Sequence, residues 1–192
     1  MNIFILDGDI KTNVSYYVDS HVRKMVLETA QLIQTSLWVD SLFDYPIPRK
    51  LGKEERSILM KTKEEIPNLW TYKPTHENHP CSIWMRESKS NFEYVRNLFW
   101  ALIEEYKYRF GVTHMSVKIG NDYEVYNPPD IGLTKFAEAM PDELKLDTPV
   151  ASYRNYYIEN KKHLFVWTKR EPPSWIPKKA LDFRANILYN NL

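Results

Sequence analysis

The stretch His21–Trp38, HVRKMVLETAQLIQTSLW, settles both the fold class and the first candidate site. Val22, Met25, Val26, Ala30, Ile33 and Leu37 recur three and four residues apart, the spacing that lines one side of an α-helix with apolar groups. Asp19 or Ser20 stands where the helix needs an N-cap. His21, Lys24, Glu28, Gln31 and Thr35 are also three and four apart, and at the helical turn angle they fall within an arc of about 80°. An imidazole, an amine, a carboxylate and an amide therefore share one face. Such a set can transfer protons or hold a charged ligand. It equally fits a solvated helix face on which Lys24 and Glu28 form a weak surface pair.

Further helices follow on the same grounds. Pro80 is placed to start a short one. Ser90–Glu93 has the form of a capping box, and Phe92, Val95, Phe99, Leu102, Ile103, Tyr106 and Phe110 then make an apolar stripe that Gly111 can close. A helix capped by Thr113 is expected to run to about Glu124, and a short one near Leu133–Ala139. Thr148-Pro149 should open a helix to about Lys161, and Pro177 a last one through Leu188. Asn2–Leu6, closed by Asp7-Gly8-Asp9, reads as a brief strand or a buried extended arm. Residues Val39 to Thr75, punctuated by Pro46, Pro48, Pro67 and Pro74, form an irregular excursion in which Lys53–Ile66 can make a charged helix. The sum is a mainly α chain: one compact helical bundle over residues 1–192 with a short N-terminal extended segment.

Composition narrows the function. A chain of 192 residues, 43% hydrophobic, is long enough to bury a core without cross-links. Five glycines against twelve prolines argue against a glycine-rich phosphate loop, and no cofactor motif is present. One cysteine, Cys81, excludes an internal disulfide and any multi-cysteine zinc site. There is no apolar run near the roughly 18 residues of a membrane span and no signal-peptide pattern, so no membrane partner is expected and the cytoplasm is the expected compartment. A net charge of +1 disfavours a broad duplex-gripping surface, although a local basic patch fits within it.

A second polar concentration is Lys73-Pro-Thr-His76-Glu-Asn78-His79-Pro80, just before a helix start, with Arg86 and Asn91 beyond it. A helix N-terminus attracts anions, phosphate among them. The competing reading is that Asn78 and His79 only cap the helix and that Arg86 makes a structural ion pair. His76 and His79 with Glu28 or His21 could also ligate a metal, but His-x-x-His is common and no metal is assigned. Cys81 beside His79 is more plausibly a buried small residue than a nucleophile. Tyr153-Arg154-Asn155-Tyr156-Tyr157 can stack a base beside a phosphate or can simply be core plus one arginine.

The run His21–Leu32, then Asn78-His79-Pro80 with Trp84-Met85-Arg86, then Tyr106-Lys107-Tyr108-Arg109, resembles phage and bacterial proteins labelled pyrimidine dimer DNA glycosylase, or endonuclease V-like. The resemblance covers roughly Asp19 to Gly111. It implies a compact α-helical domain that cleaves an N-glycosidic bond in DNA, an amine attacking C1′ with a glutamate assisting. Glu28 matches the expected carboxylate. In the characterised enzyme of this kind the amine is that of the processed N-terminus; here Asn2 follows Met1, and methionine before a bulky residue is normally retained, so Lys24 becomes the candidate amine.

The expected activity is thus an enzyme on a nucleic acid base or nucleotide, most concretely a DNA N-glycosylase with lyase potential. Glu28 is its acid/base and Lys24 its nucleophile. His21, His76 and His79 would position or shuttle protons. Arg86 and Lys73 would hold phosphate, with Gln31, Asn78, Asn91 and Arg154 completing the binding set. Trp84 or Tyr153 would receive an extruded base. Two alternatives stand beside it: a small-molecule enzyme transforming a nucleotide or nucleoside, which the charge of +1 suits, and a non-catalytic phage protein that binds a host component through the polar stripe. The partner is DNA or a nucleotide under the first two readings.

Overall fold

The computed structural model describes residues 2–43, 47–120 and 126–189, the last six by their backbone alone. It is mainly helical, and no strand occurs among the described residues. Seven α-helices follow in order: α1 (Ile10–Ser15), α2 (Asp19–Phe43), α3 (Lys53–Glu65), α4 (Pro80–Glu87), α5 (Lys89–Phe110), α6 (Pro149–Asn160) and α7 (Lys178–Tyr189). α2 and α5 form the central pair, with α1 and α4 packed on α5. Their apolar stripes make the core: Val22, Met25, Val26, Ala30 and Ile33 from α2 meet Phe92, Val95, Leu98, Phe99 and Leu102 from α5, all almost inaccessible to solvent. Burial of this apolar surface is the main favourable contribution to folding.

The N-terminal segment is the buried arm rather than the strand. Ile3, Phe4, Ile5 and Leu6 lie in the core without a sheet to pair their backbone. Side chains supply the partners that a strand would have found in a neighbour. The Asn13 amide donates to the Phe4 carbonyl and its oxygen accepts from Leu6 N–H at 2.6 Å. The Tyr17 hydroxyl donates to the same Phe4 carbonyl at 2.6 Å. Arg154 donates through Nε to the Leu6 carbonyl and pairs with Asp7. Arg154 is therefore a clamp on the arm, not a free phosphate ligand.

A second arginine locks the helix junction. Arg109, fully buried on α5, donates to the carbonyls of Tyr17 and Ser15 and pairs with Asp19 and Glu105; Glu105 also binds Arg170. Asp19 is thus tied to Arg109 and Thr168. The excursion after α2 has its own small core of Trp38, Val39, Ile47, Leu51 and Leu59. The expected helix there is present as α3, whereas Pro46 lies outside the described residues.

Several boundaries differ from expectation. α1 lacks any long periodic stripe and is a six-residue turn capped by Asp9. α5 begins one residue before Ser90 because Ser88 caps it; Ser90 instead bonds Asp130. Gly111 does close it, at φ 75°. Thr113 caps nothing: His114 caps a short 3-10 turn, Met115–Ile119, and the expected end at Glu124 lies outside the described residues. Leu133–Ala139 is irregular, its backbone at Thr134 bonded to the Asn91 side chain.

Candidate functional site

The stripe on α2 faces a cavity. Asn2 and Phe4 of the buried arm, His21, Lys24, Met25 and Glu28 of α2, Ala139, and Tyr156 and Lys161 at the end of α6 enclose about 190 Å³. Three of the expected residues, His21, Lys24 and Glu28, therefore share one site. The helical spacing brings them to one face, and the arm and α6 close over that face.

Lys24 Nζ stands 3.1 Å from Glu28 Oε1. The carboxylate is almost buried at 11% exposure while the lysine is 64% exposed, so the pair runs from the floor of the cavity to its mouth. His21 is held on two sides. Its Nδ1 meets the Tyr157 hydroxyl at 2.5 Å, and its ring stacks on Phe4 at 4.4 Å between centroids. Burial, reinforced by the charges of Lys161, Lys24 and His163, pushes its pKa down to about 3. At neutral pH His21 is uncharged. This corrects its expected role: it offers or accepts a hydrogen bond at the cavity but carries no labile imidazolium proton.

Asn2 is fixed within the same wall. Its amide donates to the Ala139 carbonyl, and its side-chain oxygen accepts from the Tyr153 hydroxyl at 2.8 Å and from the Cys81 thiol. Cys81 is buried, and burial pushes its thiol up to about 11, which removes it as a nucleophile near neutral pH.

The second polar concentration has a different destination. The two segments do meet: Thr35 on α2 exchanges hydrogen bonds with the backbone of Thr75, and the Trp38 indole donates to the Tyr72 carbonyl. Yet Lys73, His76, Asn78, Arg86 and Asn91 are not in the cavity wall. Arg86 is completely buried, and its donors are spent on the carbonyls of Ile47, Arg49 and Glu77 and on Ser82. Loss of hydration lowers its pKa to about 10, which still leaves it charged. It is a structural post, and its partners are carbonyls rather than the carboxylate expected of a structural pair. Asn78 forms a two-way bridge with the Leu51 backbone. Asn91 joins the Trp84 carbonyl to Thr134. All three are committed to holding the fold.

His79 caps α4 by accepting from Cys81 N–H at 3.2 Å. Burial lowers its pKa, while the field of Glu28 acts in the opposite sense. It stands behind the site rather than in its wall. Lys73 and His76 are exposed; His76 bonds Thr75 through Nδ1 and adopts a left-handed backbone, φ 54°. Gln31 is half-buried and is not among the residues of the cavity wall. Trp84 and Tyr153 are core residues: Trp84 packs on Tyr94 and Phe136, and Tyr153 is inaccessible to solvent. Neither can receive a base; the rings at the cavity are Phe4 and Tyr156.

Among the described residues no three of His, Cys, Asp and Glu group so as to hold a metal ion, and no helix is long and apolar enough to cross a membrane. No family model, curated protein or solved structure matches the chain.

Proposed function

We propose that the chain is an enzyme acting on a nucleic acid base or nucleotide by cleaving an N-glycosidic bond through an amine, in the manner of a DNA N-glycosylase with lyase activity. The observation that carries this reading is the Lys24–Glu28 pair, an amine 3.1 Å from a nearly buried carboxylate inside a concave polar site. Transfer of a proton from Lys24 to Glu28 leaves a neutral amine beside a carboxylic acid. The amine then attacks C1′. The C1′–N bond breaks, its electron pair leaves with the base, and the proton held on Glu28 goes to that base. One of the two protons left on Nζ then passes to O4′ as the C1′–O4′ bond breaks, which opens the sugar ring and leaves a protonated imine between Lys24 and C1′, the species that borohydride reduces. Asn2 and the neutral His21 orient the substrate by hydrogen bonds, and Tyr156 borders the same space.

The test is reductive trapping. Incubation with borohydride and an oligonucleotide panel containing ultraviolet-damaged and abasic sites should give a covalent adduct. Lys24→Met should abolish it, and Glu28→Gln should reduce it by at least about a hundredfold, the scale of a lost acid/base. No adduct with any member of the panel would reject the reading.

A second reading, a small-molecule enzyme that transforms a nucleotide or nucleoside, is favoured by the cavity itself. At about 190 Å³ it is smaller than common ligand pockets and suits one ring-sized group. Cleavage of a mononucleotide without any trapped adduct on oligonucleotides would select it.

A further inference from the structure

We propose that Lys161 forms an anion subsite at the mouth of the α2 cavity and that it seats a phosphate of the substrate. The proposal rests on the nucleotide-processing reading and assigns its phosphate contact, which Arg86 and Asn91 cannot make and Lys73 is not placed to make.

Lys161 is the C-cap of α6, half-buried, and lines the cavity opposite the α2 stripe. No carboxylate pairs with it among the described residues. Its ammonium group lies over the ring of Tyr156, with Nζ 4.8 Å from the centroid. A ring face steers an ammonium group without neutralising it. The lysine stem is therefore positioned while its charge stays available. Lys24, the amine of the proposed reaction, lines the same cavity and is paired with the less exposed Glu28, so the phosphate contact falls to Lys161. Anion recognition at the rim and a carboxylate at the floor are thereby separated in depth. A phosphorylated sugar placed with its phosphate at the rim points its other end inward, toward Glu28, His21 and Asn2. The subsite also accounts for what a lysine at a helix C-terminus is otherwise expected to do: a cation there complements the helix dipole, but this one is turned toward the cavity.

The experiment uses the full chain. Backbone and side-chain NMR shifts are followed while inorganic phosphate is added, in the wild type and in Lys161→Met, Lys161→Arg and Lys53→Met. Lys161→Met keeps the stem over Tyr156, Lys161→Arg keeps the charge, and Lys53 is an exposed residue at the start of α3. Shifts at Asn2, Lys24 and Tyr156 are expected, weakened about tenfold or more in Lys161→Met, largely restored in Lys161→Arg and unchanged in Lys53→Met, with rising salt weakening all of them. Absence of these shifts in the wild type, or equal affinity in Lys161→Met with an unchanged melting temperature, overturns the subsite. Thymidine, thymidine monophosphate and a short single-stranded oligonucleotide then compete against phosphate. Displacement by the monophosphate alone assigns a free nucleotide, stronger displacement by the oligonucleotide assigns a strand phosphate, and displacement by thymidine as strong as by either contradicts a phosphate contact. Phosphate binding without any glycosidic cleavage would leave the subsite standing and sink the proposed activity. Cleavage with the same KM in Lys161→Met would do the reverse.

Discussion

Glu28 and Arg86 sit in the two polar concentrations of this chain, and both are nearly sealed from water. Glu28 borders an open cavity and pairs with a lysine that is mostly exposed. Arg86 has its guanidinium enclosed by three backbone carbonyls and a serine hydroxyl. A polar residue at the right helical spacing is thus not a sign of chemistry in itself. What distinguishes the two is the setting: Glu28 lines a cavity, whereas the donors of Arg86 face carbonyls of the fold.

The largest effect should come from the Arg86 side. Arg86→Met leaves the buried carbonyls of Ile47 and Glu77 and the part-buried one of Arg49 without this donor, and a loss of about 3–5 kcal/mol is expected in urea denaturation. Arg86→Lys should recover little, because a single ammonium cannot reproduce the planar fork. A wild-type midpoint in Arg86→Met would erase the contrast between the regions.

Acid should act on the cavity side before it acts on the carboxylates. His21 has its pKa held near 3 in the fold, against about 6.5 in the unfolded chain, so below 6.5 the unfolded state takes up a proton that the folded state refuses. Stability is then fully present above about pH 6.5 and falls as pH drops through the window toward 3, by up to about 1.4 kcal/mol per pH unit for this one group. His79, also shifted down, contributes in the same sense. Between pH 6.5 and 4.5 the slope should be shallower in His21→Gln. An identical slope would mean that His21 titrates freely.

A smaller loss, about 1–2 kcal/mol, is expected for Asn78→Ala, which removes the bridge to Leu51 and leaves any activity at the α2 cavity intact. Smallest of all is Lys24→Met. Its partner is nearly buried but the lysine is largely exposed, so solvent screens the pair and stability should fall by no more than about 0.5 kcal/mol, while trapping is lost.

The order of readability follows the range of the interactions. The α2 stripe, the Gly111 stop on α5 and the proline starts of α4 and α6 are local signals, and each appears where the sequence places it. His21, Lys24 and Glu28 converge because one helix carries all three. Asn2, Phe4 and Lys161 carry no comparable mark, and Tyr156 is marked only as one member of the Tyr153–Tyr157 cluster. They reach the cavity only because the arm threads between α2 and α6, a pairing of segments more than a hundred residues apart, as the His21–Tyr157 bond shows. The Lys73–Asn91 cluster misleads for a related reason: His79 and Asn78 satisfy nearby backbone, and Arg86 satisfies carbonyls of the excursion that no local pattern connects to it. Ser88 and Ser90 differ as caps by two positions, and Asp130, distant in sequence, takes the second.

The most direct measurement on the central claim, that the α2 cavity is the reactive centre, is the pairing of stability with turnover in Glu28→Gln. This substitution keeps the shape of the side chain and removes the charge. The unfolding free energy from urea denaturation is expected to stay within about 0.5 kcal/mol of the wild type, while single-turnover cleavage of the damaged or nucleotide substrate falls by about a hundredfold or more. A folded Glu28→Gln protein that cleaves as fast as the wild type would place the chemistry elsewhere and contradict the claim.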